Sequence, residues 1–267
     1  MGEAFPLPPG YRRHHLETVG STNSVAMDLA RGGDAGRLWV TADRQTGGRG
    51  RRGRHWVSEP GNLYSSILMI DPGPVERLAE LPLVAAVALA RALEAACDAE
   101  GRIALKWPND LLVEGAKISG ILAESAFLSD GRLVAVVGIG VNVGHHPDLP
   151  GYATTSLADL GWPASVERVF AFLADAFADR MAVWNGGSGF AAIREDWLSR
   201  AWKLGERVDI RQGDTLRSGR FVTLDAAGRI VLEGENGSRE TFSAGDVAAP
   251  AANGDAQGFG NSERKDH

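Results

Sequence analysis

The chain has 267 residues, 44% of them hydrophobic, and a formal charge of −6 at pH 7. That apolar content supports one large domain with a smaller companion, and the acidic balance argues against DNA or an anionic membrane as the main partner. A lone cysteine, Cys97, excludes an internal disulfide framework and fits a reducing, cytoplasmic setting in which it serves packing.

The proline-rich start, Met1 to Gly10, lacks the charged and apolar regions of a signal peptide. Ser21-Thr22-Asn23-Ser24 offers N-cap chemistry ahead of Val25, Ala26, Met27, Leu29 and Ala30, which predicts a helix. Leu38 to Ala42 and Leu63 to Ile70 read as strands. Val75 to Cys97 reads as one long helix with Leu78, Leu81, Val84 and Ala88 on one face. Its apolar part, from Leu81, carries Arg91 and Glu94 and is too short to span a bilayer. Strand-like runs follow at Ile103 to Trp107, Lys117 to Glu124 and Leu133 to Val143, with Leu111-Leu112-Val113 and Glu114-Gly115 starting a hairpin. Val166, Val169, Phe170, Leu173, Phe177 and Trp184 then recur at helical spacing.

After Trp202 the texture becomes all-β. Val208 to Arg211, Gly219 to Leu224, Arg229 to Leu232 and Arg239 to Phe242 form a module of roughly 45 residues, a size suited to a compact barrel. Pro250 to His267 is nearly devoid of apolar residues and is expected to be disordered. The expected fold is therefore α+β. A mixed sheet with helices on one side occupies residues 1–200, a small β domain 201–249 and a tail 250–267.

Gly47 to Trp56 places four arginines on a glycine-rich backbone, an anion-binding combination on an acidic chain. Gly48-x-Gly50-x-x-Gly53 matches the dinucleotide fingerprint only in spacing, because Pro60-Gly61 breaks the helix that the fingerprint needs. A nucleic-acid-binding Arg-Gly segment is the rival reading. Lys106-Trp107-Pro108-Asn109-Asp110 sets an amide and a carboxylate at a strand end. Simple alternation in Lys117-Ile118-Ser119-Gly120 puts Lys117 and Ser119 on one face, and a hairpin would bring Lys117 toward Asp110. In Gly138-Ile139-Gly140-Val141-Asn142, glycines allow close backbone approach and Asn142 is the one polar side chain. No His/Cys/Asp cluster points to a fixed metal, and His14-His15 and His145-His146 read as surface pairs.

The order and spacing of Ser21-Thr22-Asn23, Gln45 with Gly48 to Trp56, Lys106 to Asp110, Lys117-x-x-Gly120-Ile121 and Gly-Val-Asn-Val resemble the biotin protein ligases over about residues 12 to 247. The resemblance implies a class II synthetase-like catalytic domain with a small SH3-like β-barrel. The expected enzyme is a biotin–[biotin carboxyl carrier protein] ligase, which joins biotin to AMP and passes it to a carrier lysine. Only about twenty residues precede Ser21, so the repressor domain of bifunctional members is expected to be absent.

By that likeness Ser21, Thr22, Asn23, Gln45, Gly50, Gly120 and Ile121 bind biotin, together with Arg49, Arg51 and Lys117. ATP is expected to meet Arg49, Arg51, Arg54, Asn109 and Lys117, with Trp56 and Asn142 at the adenine. Lys117, Asp110, Arg49 and Arg51 would be the catalytic set, while Arg52 and Arg54 anchor the loop. Magnesium would travel with the triphosphate, held mainly by ATP oxygens. The implied partner is the carrier domain of a biotin-dependent carboxylase, without nucleic acid or membrane. A lipoate ligase shares the fold and is the rival enzyme.

Overall fold

The computed structural model of the chain describes residues 6–148 and 152–250, so the tail expected to be disordered lies outside it from residue 251. Among the described residues, seven strands form the main sheet: β1 (Arg12–Val19), β2 (Leu38–Gln45), β3 (Leu63–Ile70), β4 (Ala104–Lys106), β5 (Asp110–Val113), β6 (Ala116–Phe127) and β7 (Leu133–Val141). Their order is β1-β2-β3-β7-β6-β5-β4. β1 runs parallel to β2, and the other neighbours pair antiparallel. The sheet is mixed, as expected.

Alternation along the strands sends side chains to two faces. Trp39, Ile67, Ala135 and Val137 point into a core shared with α2 (Leu81–Cys97), α3 (Val166–Trp184) and α4 (Phe190–Ser199). Trp39 is fully buried there, edge-on to Phe170 at 5.6 Å and Phe177 at 5.4 Å. Leu38, Val40, Leu68, Val134 and Val136 point the other way, under Ala26 and Ala30 of α1 (Thr22–Arg31). Among the described residues three helices thus share one side, and α1 covers part of the other. The uncovered remainder of that second face becomes the floor of a cleft.

In the large domain, three elements depart from the sequence reading. The long helix is divided: Val75–Glu80 is a 3-10 turn, and α2 starts at Leu81 with Pro82 in its first turn. Proline has no N–H to donate and is tolerated only there. β1 had no apolar alternation to reveal it, because it is a polar edge strand defined by pairing with β2. α4 was also missed, although Phe190, Ile193 and Trp197 form its buried stripe.

The C-terminal strands β8 (Arg207–Gln212), β9 (Thr215–Leu224), β10 (Ile230–Glu233), β11 (Arg239–Phe242) and the unforeseen β12 (Asp246–Ala248) make a five-stranded antiparallel sheet. Its core joins that of the large sheet, with Trp197 edge-to-face against Phe221 at 6.4 Å. The indole N–H of Trp107 donates to the carbonyl of Gly228 at 3.0 Å, tying the Lys-Trp-Pro-Asn-Asp turn to the small sheet. Trp107→Phe leaves that carbonyl unpaired and should cost about 1–3 kcal/mol. A lower melting temperature, with earlier proteolysis of residues 203–248, is the expected result. An unchanged melting curve would show that the bond contributes nothing.

Candidate active site

The cleft has a volume of about 1630 Å³ and lies between the open sheet face, the arginine loop and the small β sheet. Its floor is backbone. Gly120, Gly138 and Gly140 sit where the paired strands β6 and β7 run beneath it, and a Cβ on Gly140 would lie 2.7 Å from the Trp56 indole nitrogen. A Cβ on Gly138 would collide with the Asn23 amide oxygen. These positions require glycine so that side chains can approach the sheet directly.

At one end, α1 begins with Ser21 in extended conformation, yet the Ser21 side chain makes no capping bond. Gln45 caps instead: its Oε1 accepts from the Thr22 N–H at 2.8 Å and from the Thr22 hydroxyl at 3.1 Å. Gln45 is held in turn by donating to Ser58 at 3.0 Å. Ser66 on β3 donates to Asn23 Oδ1 at 2.6 Å and lies 2.7 Å from the Thr22 hydroxyl. Asn23 then donates to Glu124 at 2.7 Å. The result is a preformed polar wall of donors and acceptors whose orientation is fixed before any ligand arrives.

The arginine loop folds as a tight hairpin, with bonds from Gly50 N to Arg54 O (2.7 Å) and from Trp56 N to Gly48 O (2.9 Å). Arg51–Gly53 forms a 3-10 turn, with Arg52 at φ 57°. No α-helix follows it, in agreement with rejection of the dinucleotide reading. Arg49 is held by Glu124 at 3.0 Å and Ser24 at 3.0 Å. Arg51 donates to Asn109 Oδ1 at 2.9 Å and to the Gly245 carbonyl at 3.1 Å. Burial lowers its proton affinity, and Asp246 and Asp110 act in the opposite direction. Arg52 and Arg54 both reach Asp246, each at 3.0 Å. The small β sheet therefore holds the loop.

Opposite the loop, Lys117 Nζ stands 2.5 Å from Asp110 Oδ1. The β5–β6 register explains the contact. Asp110 pairs with Gly120 and Leu111 with Ser119, then the register shifts so that Leu112 faces Lys117. Ile118 is the extra residue of a bulge and enters the helix-side core. Lys117 and Ser119 thus do not share a face, contrary to simple alternation. Lys117 turns to the cleft, and Ser119 donates to the Gly140 carbonyl at 2.6 Å.

Ser21, Thr22, Asn23, Gln45, Arg49, Gly50, Arg51, Arg54, Trp56, Asn109, Asp110, Lys117, Gly120 and Ile121 all line the cleft. Asn142 does not. It is buried, and its amide nitrogen donates to the carbonyls of Thr155 (3.0 Å) and Lys117 (3.5 Å), bracing the Lys117 strand from behind. His145 and His146 are half-buried rather than superficial, bonded around Asn62, Thr154 and Asp159. Sequence reasoning missed Glu124, Ser66, Asp246 and Tyr152. Glu124 and Ser66 lie on strands it had found, but Asp246 and Tyr152 reach the cleft from distant segments that bear no motif.

The Biotin/lipoate A/B protein ligase family profile matches residues 18–143, and the Biotin protein ligase C terminal domain profile matches residues 203–248. The Paracoccus denitrificans biotin–[acetyl-CoA-carboxylase] ligase is 40% identical over 239 residues, spanning 87% of this chain and 98% of its own. The chain belongs to the biotin protein ligase family. The Aquifex aeolicus family member, solved with biotin and ATP, superposes with a TM-score of 0.73 at 29% identity, covering 89% of this chain and 97% of its own. The Leishmania major ligase, solved with biotinyl-5-AMP, gives 0.62 at 29%, covering 89% and 100%.

Asp246 holds two half-exposed arginines, and exposed ion pairs contribute only about 0.2–1 kcal/mol each. Asp246→Ala should therefore speed tryptic cleavage within Arg51 to Arg54 by about 2- to 30-fold, the range for two such pairs. High salt should have the same effect on the unaltered ligase. Identical cleavage rates for the two chains would show that Asp246 does not hold the loop.

Proposed function

We propose that this cleft joins biotin to ATP as biotinyl-5'-AMP and then passes biotin to one lysine of a biotin carboxyl carrier domain. The observation that carries this reading is the Lys117–Asp110 pair, set across a glycine floor from Arg49 and Arg51. In the first step a biotin carboxylate oxygen attacks the α-phosphorus of ATP, and the bond to pyrophosphate breaks. Two anions must meet, so positive charge already fixed in place lowers the barrier. Lys117, Arg51 and Arg49 supply it, with Arg49 exchanging Glu124 for the ligand.

The Thr22, Asn23 and Gln45 wall suits the polar edge of the biotin ring, which needs partners inside an apolar pocket. Trp56, seated against Gly120 and Gly140, offers an aromatic ring to the adenine. Among the described residues no group of three or more His, Cys, Asp or Glu converges as a metal cage, and Asp110 and Asp246 already face cations. Magnesium would ride on the phosphate oxygens, and no step here is routed through it.

In the second step the carrier lysine, as a free amine, attacks the anhydride carbonyl. The C–O bond breaks, AMP leaves with the electron pair, and the amine loses a proton. Lys117 stabilises charge on the departing phosphate, while Asp110 orients Lys117 and the incoming amine. The closed arginine loop shields the mixed anhydride from water. No helix of the described residues is long and apolar enough to cross a membrane, and the buried free Cys97 accords with a reducing cytoplasm.

With ATP, labelled biotin and a carrier domain, label should appear on the carrier and pyrophosphate should be released. Label from lipoate instead of biotin would favour the rival enzyme. Lys117→Ala should lower pyrophosphate release about 10²–10³-fold, as for loss of one oxyanion donor. Near-normal release would remove Lys117 from the mechanism. Arg51→Gly should form the adenylate yet leak it to solvent, and unchanged leakage would refute the shielding role of Arg51.

A further inference from the structure

Two ammonium groups compete for one carboxylate in this site. Lys106 stands directly opposite Asp110 in the β4–β5 pair, a spacing of about 5 Å between Cβ atoms. Lys117 approaches the same carboxylate from β6. Lys106 nevertheless does not take it. Its Nζ donates to the phenolic oxygen of Tyr152 at 3.0 Å, and the Tyr152 hydroxyl donates onward to Asp110 Oδ2 at 2.8 Å. Asp110 Oδ1 is left to Lys117.

The placement of Tyr152 is over-determined. The following residues are stitched to the catalytic strand, Lys117 N donating to Ala153 O at 2.8 Å and Thr155 N to Lys117 O at 3.0 Å. The buried Asn142 amide braces both carbonyl neighbours from behind. The Tyr152 ring also accepts Lys106 over its face at 4.5 Å and Lys117 at 5.7 Å. Burial and Asp110 raise the phenol's pKa, which keeps the proton that the relay requires. Burial likewise pulls Lys106 below its ordinary range, partly offset by Asp110.

We propose that Tyr152 is a positioning residue that keeps Lys106 off Asp110 and so reserves this carboxylate for Lys117. The proposal rests on the ligase reading and adds to it a residue outside the motifs that define the site. Without the hydroxyl, Lys106 loses its acceptor, turns to Asp110 Oδ2 and draws the carboxylate away from Lys117.

The test is a double-mutant cycle on the full chain, read as biotin-dependent pyrophosphate release. Tyr152→Phe keeps the ring and should lower kcat about tenfold with little change in the KM for biotin, the scale of one hydrogen bond to a charged group. In a Lys106→Met background the same change should cost less than about twofold, because no competitor remains. Equal losses in both backgrounds would mean that the hydroxyl acts independently of Lys106, and no loss in either would mean that it is idle. Both outcomes overturn the proposal.

A second arm needs no turnover. Reductive ¹³C-methylation followed by NMR titration reports each lysine separately. In Tyr152→Phe, Lys106 should titrate higher, having gained Asp110. The other charged groups facing Lys106, Asp246 and Arg54, are common to both proteins. Unchanged titrations would refute the partition. A chain whose titrations shift but which makes no adenylate would instead count against the ligase reading alone.

Discussion

Crowded positive charge in a shared cleft is the constraint on which the rest of this structure depends. Five arginines and two lysines line it among the described residues, on a protein that is acidic overall. Two like charges 4 Å apart repel by about 4 kcal/mol at an effective dielectric of 20, so such a cluster cannot stand unpartnered. Glu124 meets Arg49, Asp110 meets Lys117, Asp246 meets Arg52 and Arg54, and the Tyr152 phenol meets Lys106. Each partner comes from a different segment. The need to give each cation a partner thereby joins the main sheet, the loop 152–157 and the small β sheet into one site.

This arrangement also explains how a binding site for two anions can be stable before either arrives. The protein's own carboxylates already sit beside the cations, so the positive charge is held in place by opposite charge within the fold. The exchangeable partners lie toward solvent: Arg49 and Glu124 are both partly exposed. The Lys117–Asp110 pair is more enclosed and is held from two sides. The site thus has an enclosed centre and a more exposed rim.

Much of the fold was legible because its signals are local. β3 is a continuous apolar run bounded by turns, and the hairpin at Glu114-Gly115 shows its two positive φ angles, 51° and 83°. The site was legible for a different reason: glycines that no side chain could replace and arginines that no folded core would bury. Legibility failed wherever a residue's meaning was conferred by a distant neighbour. β1 is polar and becomes a strand only beside β2. Asn142 stands out in the sequence as a lone polar residue, and only the fold shows its amide nitrogen bracing the Thr155 and Lys117 carbonyls.

The amino-acid sequence by itself determined the chemistry: an anion-binding loop, a lysine and an aspartate within reach of each other, a glycine-lined strand pair, and a family. These follow from residue types at short spacing, where backbone geometry leaves little freedom. Only the tertiary structure decided how the charges are shared. The bulge at Ile118 turns Lys117 to the cleft, Asp246 brings the small sheet onto the loop, and Tyr152 comes between two lysines and one carboxylate. Such pairings are set by through-space distances of a few ångströms between segments far apart in the chain, and no local pattern encodes them.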